Sequence, residues 1–203
     1  MGRRAAGVWS ATVVAIVAAG CRSHNADMAA AAPACEPVEG ALAATVTADG
    51  WAGDYRLIMV ATSGDSAGRS TSGPLRLQSQ ADSLRGAPGG SADDGTVMPM
   101  YGTTGIDLGA IGAVQVGDLA ADDPIGPGVL VLERKVEQAS GTITQITIRL
   151  GSDANRRGRV RFDGGYTALF VRQAGPGGFA GNWASGITGQ LAAGHFCTER
   201  VTP

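Results

Sequence analysis

Gly53-Asp54-Tyr55-Arg56-Leu57-Ile58-Met59-Val60-Ala61-Thr62 is the stretch from which the fold is most readily read. Under the two-residue period of a strand, Tyr55, Leu57, Met59 and Ala61 share one face. Ser63 to Arg69 is a polar turn, and Ser72 to Gln80 resumes the same period. There Leu75 and Leu77 face one side while Arg76 and Gln78 face the other. Two alternating runs so closely linked predict an antiparallel hairpin with one buried face.

Outward from this hairpin the pattern recurs. Further strands are expected at Ile111–Val116, Gly128–Lys135, Thr142–Leu150, Arg157–Asp163, Tyr166–Gln173, Phe179–Ile187 and Gly194–Val201. Their linkers carry Gly or Pro: Asp122-Asp123-Pro124, Gly126-Pro127-Gly128, Asp163-Gly164-Gly165 and Gly175-Pro176-Gly177-Gly178. Ala81 to Thr96 is polar and Gly-rich, as expected of a surface loop. No long stretch shows helical periodicity. The chain therefore reads as all-β, an antiparallel meander of about eight to ten strands. Closure into a barrel would remove the exposed edges, and a two-sheet β-sandwich would satisfy the same spacing.

The amino terminus reads differently. Met1-Gly2-Arg3-Arg4 is a short basic head, and the 16 residues Ala5 to Gly20 carry no charge. That is the form of a secretory signal, and it is short of the roughly 20 apolar residues a spanning helix needs. Val17-Ala18-Ala19-Gly20-Cys21 resembles the bacterial lipobox, with Ala18 where Leu is usual. The resemblance implies cleavage before Cys21 and lipid on its thiol and new amino terminus. Two or more acyl chains convert marginal membrane binding into stable anchoring. Residue 22 is Arg rather than the Asp associated with inner-membrane retention, which points to the outer membrane of a cell envelope. The expected organisation is a signal peptide over 1–20, lipidated Cys21 with a flexible tether over 21–37, and one β domain over 38–203. His24 belongs to the tether.

Loss of Arg3 and Arg4 takes the formal charge from −2 to about −4. With no basic patch, this argues against nucleic acid as a partner. Lys135 is the only lysine. With Cys21 assigned to lipid, Cys35 and Cys197 remain, and in an oxidising compartment an even pair bridges. Such a bridge would fasten the start of the folded region to its end.

A second resemblance concerns the domain. Trp51-Ala52-Gly53-Asp54-Tyr55-Arg56-Leu57 opens the first strand with a Gly-x-aromatic pattern, and the last strand ends near Arg200. This resembles the lipocalin and wider calycin arrangement, in which an aromatic near the first strand packs beside a late arginine. The resemblance implies a barrel that binds small hydrophobic molecules. Gly178-Phe179-Ala180-Gly181-Asn182-Trp183-Ala184-Ser185-Gly186 places Phe179 and Trp183 on one side among small residues, as tight curvature requires. With Tyr55, Tyr166 and Phe170 they are the candidate lining of a ligand cavity, or simply the packed core of a filled barrel.

Other motifs carry less chemistry. Gly64-Asp65-Ser66-Ala67-Gly68 matches the Gly-x-Ser-x-Gly elbow of serine hydrolases, but a loop and another strand are expected after it instead of the required helix. His195 is the only histidine expected within the domain, and it shares a strand face with Cys197. No nucleophile, base and orienting group combine into a catalytic set, and no cofactor or metal site is expected. Asp93-Asp94 and Asp122-Asp123 lack the alternating acidic spacing of a calcium loop. Arg157, Arg159 and Arg161 form a row on one strand face, suited to a solvated edge or to anionic partners. The expected partners are the membrane, through the lipid anchor, and a small apolar ligand or an envelope protein.

Overall fold

The structure is a computed structural model that describes residues 34–79, 95–115, 128–151, 166–187 and 190–202. Outside the described residues lie the expected signal segment, Cys21, His24, the expected Arg157–Asp163 strand with its arginine row, the expected turn at Asp163-Gly164-Gly165, and both acidic pairs.

The strands, in chain order, are β1 (Leu42–Ala43), β2 (Gly53–Ala61), β3 (Ser70–Ser79), β4 (Val97–Thr104), β5 (Val129–Gln138), β6 (Gly141–Leu150), β7 (Tyr166–Gly175), β8 (Gly178–Ile187) and β9 (Gln190–Arg200). Among the described residues two short 3-10 helices, η1 (Asp49–Trp51) and η2 (Gly109–Ile111), lie before β2 and after β4. Strands β2 to β9 pair antiparallel with their chain neighbours. β9 returns to β2, closing an eight-stranded up-and-down barrel. β1 is an extra strand on β6, with Leu42 opposite Thr144. Closure resolves the choice between barrel and sandwich.

The inward face follows from the two-residue period. Tyr55, Leu57, Met59 and Ala61 are buried on β2, as are Leu75 and Leu77 on β3. They join Met100, Val129, Val131, Ile146, Ile148, Leu150, Leu169, Val171, Phe179, Trp183 and Phe196 in one continuous apolar cluster. Gly194 sits inside the wall opposite Trp183. A Cβ there would lie 2.7 Å from the indole Nε1, which donates to Val60 O at 3.0 Å. The glycine is what lets the ring lie against the wall.

Two elements depart from the expected pattern. Ile111–Val116 is not a strand: η2 ends at Ile111, Gly112 turns the chain at φ 68°, and residues to Gln115 are irregular. Ile111 and Ala113 are buried there, but as part of a short segment folded into the barrel end, so their apolar character mimicked a strand. Conversely, Val97–Thr104, which follows the expected Ala81–Thr96 loop and carries no expected element, is a strand. Its pairing to β5 shifts between Val97 and Met100, around Pro99, which cannot donate to a ladder and is tolerated at such irregularities.

Candidate functional site

The barrel has two ends. At the lower lie the start of β2, the end of β9 and the β7–β8 turn; at the upper, the β2–β3 turn, the end of β4 and the starts of β5 and β7. Each end is covered by a segment that is not part of the barrel wall.

The lower end is closed by the chain that enters it. Cys35 is disulfide-bonded to Cys197 on the outer face of β9, with 5.0 Å between their Cα atoms. The chain then crosses β8, where Asn182 Nδ2 donates to Val38 O at 3.0 Å, and pairs through β1 with β6. A polar clasp follows. Lys135 Nζ donates to Ala44 O at 2.7 Å and Val46 O at 3.1 Å, Thr144 Oγ1 donates to Val46 O at 3.0 Å, and Glu133 Oε2 accepts the Ala48 N–H at 2.9 Å. Glu133 Oε1 and Lys135 Nζ lie 3.4 Å apart, so the buried carboxylate is paired with charge and hydrogen bonds alike. η1 then lays Trp51 on Phe179, centroids 4.6 Å apart and planes 10° from parallel. Tyr55 Oη donates to Trp51 O at 2.9 Å, and Arg200 stands 5.6 Å over the Tyr55 ring while Nη2 donates to Ala52 O at 2.6 Å. The expected pairing of a first-strand aromatic with a late arginine is thus present. Burial pushes the Tyr55 phenol above its ordinary value, and the Arg200 charge pulls it partly back.

The upper end is covered by residues 105–115. Ile106, Leu108, Ile111 and Ala113 are buried in the same apolar cluster as the wall. The surrounding wall positions are small: Ala61, Gly73, Thr167, Ser185 and Ala192. Gly105 N–H donates to Pro74 O at 3.1 Å at the start of the segment. Near its far end Val114 N–H donates to Ser185 Oγ at 2.7 Å, and Val114 O accepts from Thr167 Oγ1 at 2.5 Å. The two hydroxyls also lie 2.7 Å apart and are almost fully buried.

Of the expected lining residues, Tyr55 and Phe179 meet at the lower end, with ring centroids 5.4 Å apart, and Trp183 belongs to the same apolar cluster. Phe170 does not join them. Between inward Leu169 and Val171 it points outward, half-buried, and is paired across the ladder with Asn182. Tyr166 opens β7, and its side chain lies outside the described set.

Ser66 occupies the turn between two antiparallel strands, so its Gly-x-Ser-x-Gly run has none of the strand–turn–helix geometry of an elbow. A Cβ on Gly112 would lie 3.0 Å from Ser66 Oγ, so this serine faces the upper segment. His195 is buried on the outer face of β9 between Val60 and Asn182, and its Nδ1 has no hydrogen-bond partner among the described residues.

Sequence reasoning missed Thr167 and Ser185, the Glu133–Lys135 clasp and the segment around Leu108 and Ile111. The detectable signal was hydroxyl residues at inward strand positions: Ser185 shares its face with Trp183, and Thr167 with Leu169. No protein family, curated protein or solved structure matches this chain.

Proposed function

We propose that this protein is an exported lipoprotein, anchored through Cys21 to the cell envelope, preferentially at the outer membrane, and that its barrel binds a small apolar ligand or a lipid. The observation that carries the binding reading is the asymmetric closure of an apolar barrel. One end is built shut by aromatic stacking and a strap, and the other is filled by side chains from a segment outside the ladder. Eight-stranded barrels of this size either fill with their own side chains or hold one small ligand.

The lipobox-like Val17–Cys21 run supports the anchor, and Cys35–Cys197 fits an oxidising compartment. A filled barrel acting through its outer surface is the second reading, favoured by the Trp51–Phe179–Phe196 aromatics that occupy the lower end.

Mass spectrometry of the chain made in an exporting bacterium tests both parts. The denatured mass should correspond to a chain beginning at Cys21 and carrying acyl groups. An unlipidated amino terminus would overturn the anchor. Under native conditions an added small-molecule mass that disappears on denaturation supports ligand binding. A bare native mass after incubation with apolar lipid extract supports the filled barrel.

A further inference from the structure

The upper segment makes the same two kinds of contact that a bound amphiphile would make. Leu108 and Ile111 are fully buried, Ile106 nearly so, and all three belong to the barrel's own apolar cluster. Behind them Val114 presents its N–H and its C=O, from two successive peptide groups, to the Thr167–Ser185 hydroxyl pair. The wall is shaped for an occupant. A Cβ on Gly73 would come within 2.9 Å of Ile106 backbone atoms, and Ser185 and Thr167 are 0 % and 2 % exposed. Hydroxyls buried so deeply need partners, because each left bare forfeits its hydrogen bonds to water. Here the partners are the N–H and C=O of Val114, which lie outside the strand ladder.

From this we infer that residues 105–115 are an internal stand-in for the ligand, and that the barrel takes a single-headed neutral amphiphile through its upper end. The hydrocarbon replaces Leu108 and Ile111, and an alcohol, ester or amide head replaces the N–H and C=O of Val114 on Ser185 and Thr167. The head is neutral because the hydroxyl pair brings no charge of its own, and burying a carboxylate on it would cost far more than burying a hydroxyl. This exchange rests on the ligand-binding reading above and adds the entrance, the gate and the ligand class. It also accounts for a barrel that is packed without ligand: apolar surface is covered in both states, so exchange never opens the interior to water.

The distance between Ser66 and Gly112 provides a direct test. A Cβ on Gly112 would lie 3.4 Å from the Ser66 Cβ, close to the roughly 3.5–4.5 Å of a disulfide. The purified, oxidised chain is titrated with a pyrene-labelled long-chain alcohol, and binding is read as energy transfer from tryptophan to pyrene. The Ser66→Cys/Gly112→Cys variant, once its new bridge is confirmed by mass, should lose uptake by about tenfold or more, while Ser66→Cys alone retains it and Gly112→Cys alone, strained at φ 68°, takes up the probe no more slowly than the parent. As an independent arm that needs no new bridge, Thr167→Val/Ser185→Ala should admit the probe about 25-fold faster, since each of the two lost ties corresponds to about a factor of five. The same probe bearing a carboxylate should bind at least about tenfold more weakly at pH 8.

Equal uptake by bridged and unbridged protein, or an unchanged rate in Thr167→Val/Ser185→Ala, would overturn the gate while leaving ligand binding intact. Equal affinity for alcohol and carboxylate would overturn the ligand class. No transfer from the unbridged parent at any concentration would overturn the ligand-binding reading, and this inference with it.

Discussion

The two ends of the barrel are closed by different physics. At the lower end, closure is cumulative. A disulfide, a two-residue strand, a lysine–glutamate clasp and a stacked tryptophan act in succession along residues 35–51. At the upper end, closure is brief: a few apolar side chains from one segment, tied near its far end by two hydroxyls. Many independent contacts must fail together to open the first, whereas few must fail to open the second. Local stability follows contact density and hydrogen bonding, so the upper end is where the fold can yield without unfolding. The proposed binding function needs one end of each kind.

The largest expected effect comes from the lower strap. Cys35 and Cys197 are 162 residues apart in sequence, and removing a cross-link over so long a loop corresponds to roughly 5 kcal/mol on chain-entropy grounds, commonly less in practice. Cys35→Ser/Cys197→Ser should therefore shift the denaturation midpoint strongly while leaving the upper segment's hydrogen exchange, measured against global unfolding, unchanged. If the upper segment loosens equally, the two ends are one cooperative unit and the contrast fails.

A matched pair of truncations sharpens the contrast. Trp51→Ala should cost about 4 kcal/mol, in the range for large aromatics whose site cannot collapse. Leu108→Ala removes a more deeply buried but smaller side chain, from a segment outside the strand ladder, and should cost nearer about 2 kcal/mol. Denaturant titration of both variants gives the comparison, and a reversed order would contradict it.

The smallest effects concern Tyr55. Tyr55→Phe loses the hydrogen bond to Trp51 O and should cost about 1 kcal/mol. The raised phenol also makes the folded state hold its proton more tightly than the unfolded state does. The sign follows: stability is fully present below the unfolded tyrosine value of about 10 and declines as pH rises beyond it. Tyr55→Phe should flatten that alkaline decline, and an identical decline in parent and variant would show that another group governs it.

How much of this was legible depended on the kind of signal. Tyr55, Leu57, Met59 and Ala61 announced the inward face of β2 because strand alternation is local and needs no partner to be seen. The disulfide was legible because the reading of the amino terminus as an export signal left two cysteines with one way to pair. Strand β4 was hidden by Pro99 and Gly102, whose propensities oppose a strand and were overridden by pairing on both sides. Ile111 misled for the converse reason: apolar residues that plug a barrel resemble those that build its wall. Phe170 was grouped with Phe179 and Trp183 by chemistry alone, whereas its register turns it outward. Thr167 and Ser185 could not be recognised as a site, since their meaning depends on a peptide more than fifty residues away in one case and about seventy in the other.

Amide hydrogen exchange on the oxidised chain compares the two closures most directly. The probes are the Val114 amide at the upper end and the Trp51 amide, bonded to Ala48 O at 3.0 Å, at the lower. The account predicts that Val114 exchanges faster by at least about tenfold, through an opening too small to expose the barrel strands. Equal rates at the two amides, or opening of Val114 only with global unfolding, would contradict the claim that the upper end is the barrel's mouth.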